Sequence, residues 1–277
     1  MDVLRIAAFS YEGTGGNPAG VVFCEQMPDE DVMLKTAKEV GYSETAFLVK
    51  QADGWRVRYF APGMEVPFCG HATIALGAAL GERFGPGIYR LFLNDGEIQV
   101  RAEASGGGFA ATLYSPGTFS EDAQDEFVDR VLDGFHLTRE HLDPAFPVRF
   151  AQAGARHLIL VLKDRHTLAG MLYQFDRVRE LMLEQGLITI SLLWPESDEV
   201  FHSRNAFAAG GVYEDPATGA AAAALAGYLR DIGWQGRHEF TILQGEEMGM
   251  PSRLRVKYGP TVGESVSVSG ETRHISK

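Results

Sequence analysis

Cysteine is scarce in this chain: Cys24 and Cys69 are the two in 277 residues. That is too few for a disulfide framework and suits a reducing compartment. No apolar run reaches membrane-spanning length. Basic residues are the minority, 25 against 37 acidic ones, for a formal net charge of −12. Nucleic acid or an anionic membrane surface would repel such a chain, so neither is expected as a partner. A small anionic substrate stays open, because a local site can be positive inside a negative protein. The N-terminal stretch MDVLRIAAFSYEGTGG has an acidic second residue and a very short apolar run, which is not the pattern of a signal peptide. The cytoplasm is the expected location.

Several chemical motifs are also missing. There is no G-x-G-x-x-G, no Walker motif and no G-x-S-x-G elbow, and Gly106-Gly107-Gly108 reads as a turn. Cys69-Gly70-His71 is not metal spacing and no partner pair follows it. The expectation is therefore no metal, no flavin and no nicotinamide.

What is present is an ordinary globular composition, 45% hydrophobic and 22% charged. At about twice the usual domain length, two lobes are the default. The pattern predicts strands at Leu4–Phe9, Val21–Cys24, Thr45–Val49 and Trp55–Phe60, the last two joined by a tight turn at Asp53-Gly54. A helix starts at Pro28-Asp29-Glu30 and stops at Gly41. A hairpin at Asp95-Gly96 joins Tyr89–Leu93 to Ile98–Ala102. The second half repeats the plan, with strands at Val148–Ala151, His157–Leu162, Thr189–Leu193 and Glu199–Phe207 and a helix over Phe175–Gln185. Closing strands fall near Glu239–Leu243, Leu254–Lys257 and Ser265–Val268. The lobe boundary is placed in the polar, helix-like connection after Ser115-Pro116-Gly117. The lobes are then 1–117 and 118–277, with the last residues able to pack back on the first.

Two segments, Gly70–Leu80 and Gly219–Leu229, are long enough for helices and apolar on every face. A helix without a polar face must be surrounded by protein. The expected fold is therefore α+β: two similar lobes, each a curved, mostly antiparallel sheet wrapped around a central apolar helix. The segments also match each other at Gly70/Gly219, Ala72/Ala221, Ala75/Ala224, Leu76/Leu225 and Leu80/Leu229. With the repeated strand plan, this reads as an internal duplication.

A glycine at the head of each helix exposes unpaired N–H groups, which with the macrodipole make an anion site. The two starts could face each other across a cleft and grip a carboxylate-bearing substrate. His71 and Asp215 are the ionisable residues at the starts, and Glu44 follows Gly41-Tyr42-Ser43 at the head of a strand. Each has a plainer reading. Glu44 could be a solvated strand end, His71 a backbone-bonded cap, and Asp215 before Pro216 a turn or N-cap residue.

Five motifs in order change that balance: Asn17-Pro18-Ala19-Gly20-Val21, Ser43-Glu44-Thr45-Ala46-Phe47, Cys69-Gly70-His71-Ala72-Thr73, Glu214-Asp215-Pro216-Ala217-Thr218-Gly219, and Gln244-Gly245 with Pro251-Ser252. Through them the chain resembles the PhzF-like (phenazine-biosynthesis) family of the diaminopimelate epimerase fold over nearly its whole length. The resemblance implies a cofactor-independent isomerase with Glu44 as general acid/base and His71 and Asp215 lining the site. Substrate is bound by backbone N–H at Gly70, Gly219 and Ala220, and the chain is a homodimer. Two departures matter. Ala220 stands where the family often has Ser, and Met250 where it often has Arg, which puts the phenazine precursor in doubt as substrate. Epimerases of this fold use two facing thiols. Cys69 occupies the first position, but Pro216 occupies the second, so a single carboxylate is the more economical mechanism. A non-catalytic small-molecule binder or scaffold, or a Cys69-dependent racemase, are the alternatives.

Overall fold

The computed structural model describes residues 1–94, 96–106 and 108–276. The chain divides into two compact units. One comprises Met1–Tyr114 with Pro251–Arg253 and Val268–Lys277, the other Ser115–Met250 with Leu254–Ser267. The elements of the first stretch are β1 (Leu4–Ser10), β2 (Asn17–Cys24), α1 (Glu30–Val40), β3 (Glu44–Gln51), β4 (Gly54–Ala61), β5 (Met64–Val66), α2 (Gly70–Phe84), β6 (Gly87–Phe92), β7 (Glu97–Ser105) and β8 (Gly108–Tyr114). Then come β9 (Phe119–Asp122), α3 (Asp125–Gly134), β10 (Arg149–Gln152), β11 (Arg156–Val161), α4 (Arg165–Ala169), α5 (Phe175–Gln185), β12 (Thr189–Pro195), β13 (Val200–Ala206), β14 (Glu214–Asp215), α6 (Gly219–Asp231), β15 (Glu239–Gln244), β16 (Ser252–Lys257) and β17 (Ser267–His274). No helix among the described residues is long and apolar enough to cross a membrane.

In the first unit the strands pair mostly antiparallel, β1 with β2 and β17, β3 with β4, and β6 through β8 in sequence. Parallel steps join β2 to β3 and β4 to β6. The sheet curls around α2, which touches β1, β2, β3, β6, β7 and β8. All twelve residues from Gly70 to Gly81 are buried, as a helix apolar on every face requires. Glycine lets the strands come close: a Cβ at Gly77 would lie 2.5 Å from Val100 Cγ2.

The second unit follows the same rule. Strands β9 to β13 pair in order, β11 and β12 in parallel, and β15 joins β13 in parallel. Helix α6 touches β9, β10 and β11 and buries Gly219 and Ala221–Leu229. Here Gly227 is the close approach; a Cβ there would lie 2.5 Å from Thr118 Cβ. A further apolar cluster is built from Phe127, Val131, Val178, Leu181 and their neighbours on α3 and α5. Mixed α+β architecture with a helix inside each curved sheet is thus the fold.

Local signals place several elements well. Helix α1 ends at Gly41, whose φ of 74° is the left-handed cap, and α5 spans Phe175–Gln185 with Gly186 as its left-handed stop. Other details differ from expectation, and strands β5, β8 and β9 are not anticipated by the pattern. Strand β2 begins at Asn17 rather than Val21, because Pro18 and Gly20 sit inside a strand paired on both sides. The last strand runs over Ser267–His274 rather than Ser265–Val268, since Glu271 to His274 pair with β1. Helix α4 was not marked by the pattern; Asp164 caps it by accepting from the Thr167 N–H at 2.8 Å. Asp95 of the Asp95-Gly96 turn and Gly107 of the glycine run lie outside the described residues.

Candidate active site

In the first unit the parallel register Ala19↔Glu44 fixes the head of β3 beside β2. The next pair is Gly20↔Thr45, and a Cβ on Gly20 would lie 2.7 Å from Thr45 Oγ1. Gly20 therefore lets β3 come close enough to carry Glu44 inward. Glu44 is 8% exposed, which rules out a solvated strand end. Its Oε2 lies 3.2 Å from His71 Nε2 and, although buried, has no aligned hydrogen-bond partner. Burial pushes the Glu44 carboxyl above its ordinary value, opposed in part by hydrogen bonds from Ser43 and Cys69.

Helix α2 supplies the other groups. Cys69 is its N-cap but places no side-chain cap on it. Thr73 steadies this first turn: its hydroxyl donates to Cys69 O at 2.7 Å and meets Tyr59 Oη at 2.7 Å. His71 is buried at the second position. Its Nδ1 lies 3.4 Å from Cys69 Sγ, and its Nε2 lies 3.3 Å from Ser43 Oγ as well as near Glu44. Ser43 is not among the expected site residues, and Cys69 is expected there only in the racemase alternative. Only the fold could show that both reach Glu44, although each adjoins a motif position.

Glu44, Cys69 and His71 each offer a ligand atom within 4.8 Å of the others, the one such group found among the described residues. A metal ion takes one ring nitrogen of a histidine. Here the carboxylate addresses Nε2 and the thiol sits nearer Nδ1, at 3.4 Å against 3.9 Å for Nε2. That division of the ring fits a hydrogen-bonded cluster better than coordination.

The second unit holds the other expected residues. Asp215 ends β14, paired with Asn205 of β13. Its Oδ2 accepts from the Thr218 hydroxyl at 2.5 Å. Gln244, at the end of β15, then clamps the turn. Its Nε2 donates to Asp215 O at 2.7 Å and to Thr218 Oγ1 at 3.2 Å, while Oε1 accepts from the Thr218 N–H at 3.2 Å. Gly219 opens α6 and Ala220 follows, partly exposed in the first turn. The neighbouring Glu214 is committed elsewhere, to a buried ion pair with Arg204 at 2.6 Å. Asp215 is thus both a turn residue and the acceptor of a satisfied network. In the sequence, Gln244 stands out only as part of a motif.

The whole chain matches known proteins. The model of the family described as phenazine biosynthesis-like protein, PhzC-PhzF, matches residues 6–276. An uncharacterized isomerase of Deinococcus radiodurans is 31% identical over 96% of this chain and 90% of its own length. Among solved structures, a PhzF-family phenazine biosynthesis protein of Bacillus anthracis superposes with a TM-score of 0.87 at 23% identity, covering 99% of this chain and 96% of its own. A hydroxyproline epimerase of Agrobacterium vitis gives 0.63 at 14% identity, over 99% of this chain and 88% of its own, a likeness of fold alone. The chain therefore belongs to the PhzC-PhzF, phenazine biosynthesis-like family and is, like that curated relative, an isomerase.

Proposed function

We propose that the protein isomerises a small carboxylate-bearing metabolite by a single-carboxylate mechanism that needs no cofactor. Glu44 removes a proton next to a carboxylate or a conjugated alkene and returns it at another carbon, giving a double-bond or tautomeric isomer. The observation that carries this reading is the burial of Glu44 against His71, 3.2 Å away. An acid/base catalyst works best with a pKa near the working pH, and burial moves a carboxyl upward toward it. The start of α2, at Gly70, stabilises charge developing on the substrate. His71 and Asp215 orient an amino or hydroxyl group, and the N–H groups of Gly219 and Ala220 complete the substrate contacts. Assembly as a homodimer belongs to the same reading, and sedimentation as a single monomeric species at micromolar concentration would refute that part.

The test is proton exchange. The protein is incubated in heavy water with a panel of unsaturated, amino- and hydroxy-carboxylates, and C–H loss is followed by NMR. A compound that exchanges with the native protein and not with Glu44→Gln supports the mechanism. Equal exchange in both would end it. A second reading, a thiol-dependent racemase, is favoured by the Cys69 contact with His71. Pro216 offers no second thiol, so the single-carboxylate reading expects Cys69→Ala to keep most of the exchange; its loss there would select the racemase.

A further inference from the structure

The proton-transfer mechanism leaves one buried nucleophile without a task. Cys69 Sγ lies 3.4 Å from His71 Nδ1, and the other nitrogen of the same ring lies 3.2 Å from Glu44 Oε2. A single tautomer serves both contacts. With its proton on Nε2, hydrogen-bonded to Ser43 Oγ at 3.3 Å and close to the carboxylate, the ring presents the Nδ1 lone pair to the thiol. A nucleophile, a base within reach, and a third group that orients the base are the parts of an activated-nucleophile site. Cys69 also occupies the N-cap position of a helix of 15 residues, where the macrodipole favours a thiolate and can stabilise an oxyanion formed on its substrate. Cys69 keeps 8% of its surface exposed.

We propose that Cys69, His71 and Glu44 form a nucleophile–base–carboxylate triad that accepts a small activated acyl group on sulfur. His71 Nδ1 takes the thiol proton as Sγ bonds to the acyl carbon. The tetrahedral oxyanion then collapses, the bond to the leaving oxygen breaks, and His71 returns the proton to that oxygen. Water completes the cycle: His71 takes its proton, the hydroxide adds to the thioester carbon, and the C–S bond breaks to regenerate the thiol. Ester and water become acid and alcohol, with no oxidant or reductant involved. This activity lies beyond the isomerase reading and uses Glu44 only to hold the ring.

Cys24 supplies an internal control, because burial pushes its thiol pKa up and its Sγ lies against a backbone carbonyl, Val22 O, at 3.9 Å. The experiment treats the full chain with p-nitrophenyl acetate, follows p-nitrophenolate release, and maps the acetyl group by peptide mass spectrometry. The expected result is acetyl on Cys69, unchanged in Cys24→Ser and slowed about a hundredfold or more in His71→Gln, as loss of a base requires. Acetyl found on Cys24 or lysines but not on Cys69 would overturn the proposal. So would equal labelling of Cys69 in a His71→Gln variant with native circular dichroism. Mapping the unaltered protein depends on no variant folding. Heavy-water exchange is not read in this experiment, so failure of the isomerase reading leaves its outcome intact.

Discussion

At the start of α2, the buried side chains Glu44, His71 and Cys69 meet half-buried Ser43 through contacts in which a proton can sit on either partner. The start of α6 has the same backbone plan, a glycine heading an apolar helix, but Asp215 there is pinned by donors with fixed directions from Thr218 and Gln244. Similar frames thus hold their carboxylates in different surroundings. A carboxyl raised by burial and set among exchangeable protons suits proton transfer. A carboxylate accepting from a hydroxyl that is itself held by an amide suits orientation without titration.

The sharpest test of that division is the pair Glu44→Gln and Asp215→Asn on one exchanging compound. Glu44→Gln should lower exchange by about a hundred to ten thousandfold, mainly in kcat. If Asp215 orients the substrate as proposed, Asp215→Asn should cost about a hundredfold or less, mainly in KM. The reverse ranking would break the comparison, because it would move the proton chemistry to the second unit.

The α6 network can be tested by stability, without a substrate. Thr218→Val removes the donor to buried Asp215, and Gln244→Leu removes the amide behind it; each should destabilise by about 1–3 kcal/mol. Because the residues share hydrogen bonds, the double variant should show a coupling of about 0.5–3 kcal/mol in urea unfolding. Strict additivity would mean that Gln244 does not support Asp215 through Thr218.

Where the two frames are alike, they should respond alike. Gly77→Ala and Gly227→Ala each force a methyl against a strand or loop atom, and about 1–3 kcal/mol of destabilisation is expected from either. A large effect in one unit and none in the other, read by thermal unfolding, would show that the sheets do not grip their helices equally.

The smallest effect concerns Glu44 and pH. Folding raises its pKa above the ordinary value of 4.5, so the folded state holds this proton more tightly than the unfolded state. The stability from that proton is complete below pH 4.5 and is lost as pH rises through the higher folded value. Glu44→Gln removes the loss. Relative to the native protein, the variant should gain stability as pH rises above 4.5 and show no gain well below it. A gain that grew as pH fell would mean that the folded carboxyl is held ionised, contrary to its burial.

Much of the frame is legible in the sequence. Gly41 and Gly186 end their helices because only glycine takes the left-handed cap cheaply. The two helices apolar on all faces announce surrounding protein on every side, which the curved sheets provide. Less is legible at the site. Glu44 can be named, but as a strand-end glutamate it is as easily solvated. Gln244 and Ser43 stand out only as motif members, and Arg204 carries no signal at all.

By itself, the sequence determined what is local: where helices stop, which faces are apolar, and which carboxylates and thiols stand beside glycine-headed helices. The tertiary structure alone decided the burial of Glu44, through a parallel register with β2 that brings Ala19 beside it. It likewise decided that Cys69 and Glu44 would address opposite nitrogens of His71 and that Gln244 would reach back to Thr218. The reason is that capping and periodicity are set within a few residues. A buried charge or hydrogen bond depends on which distant segments exclude water together, and that is settled only when the whole sheet closes on its helix.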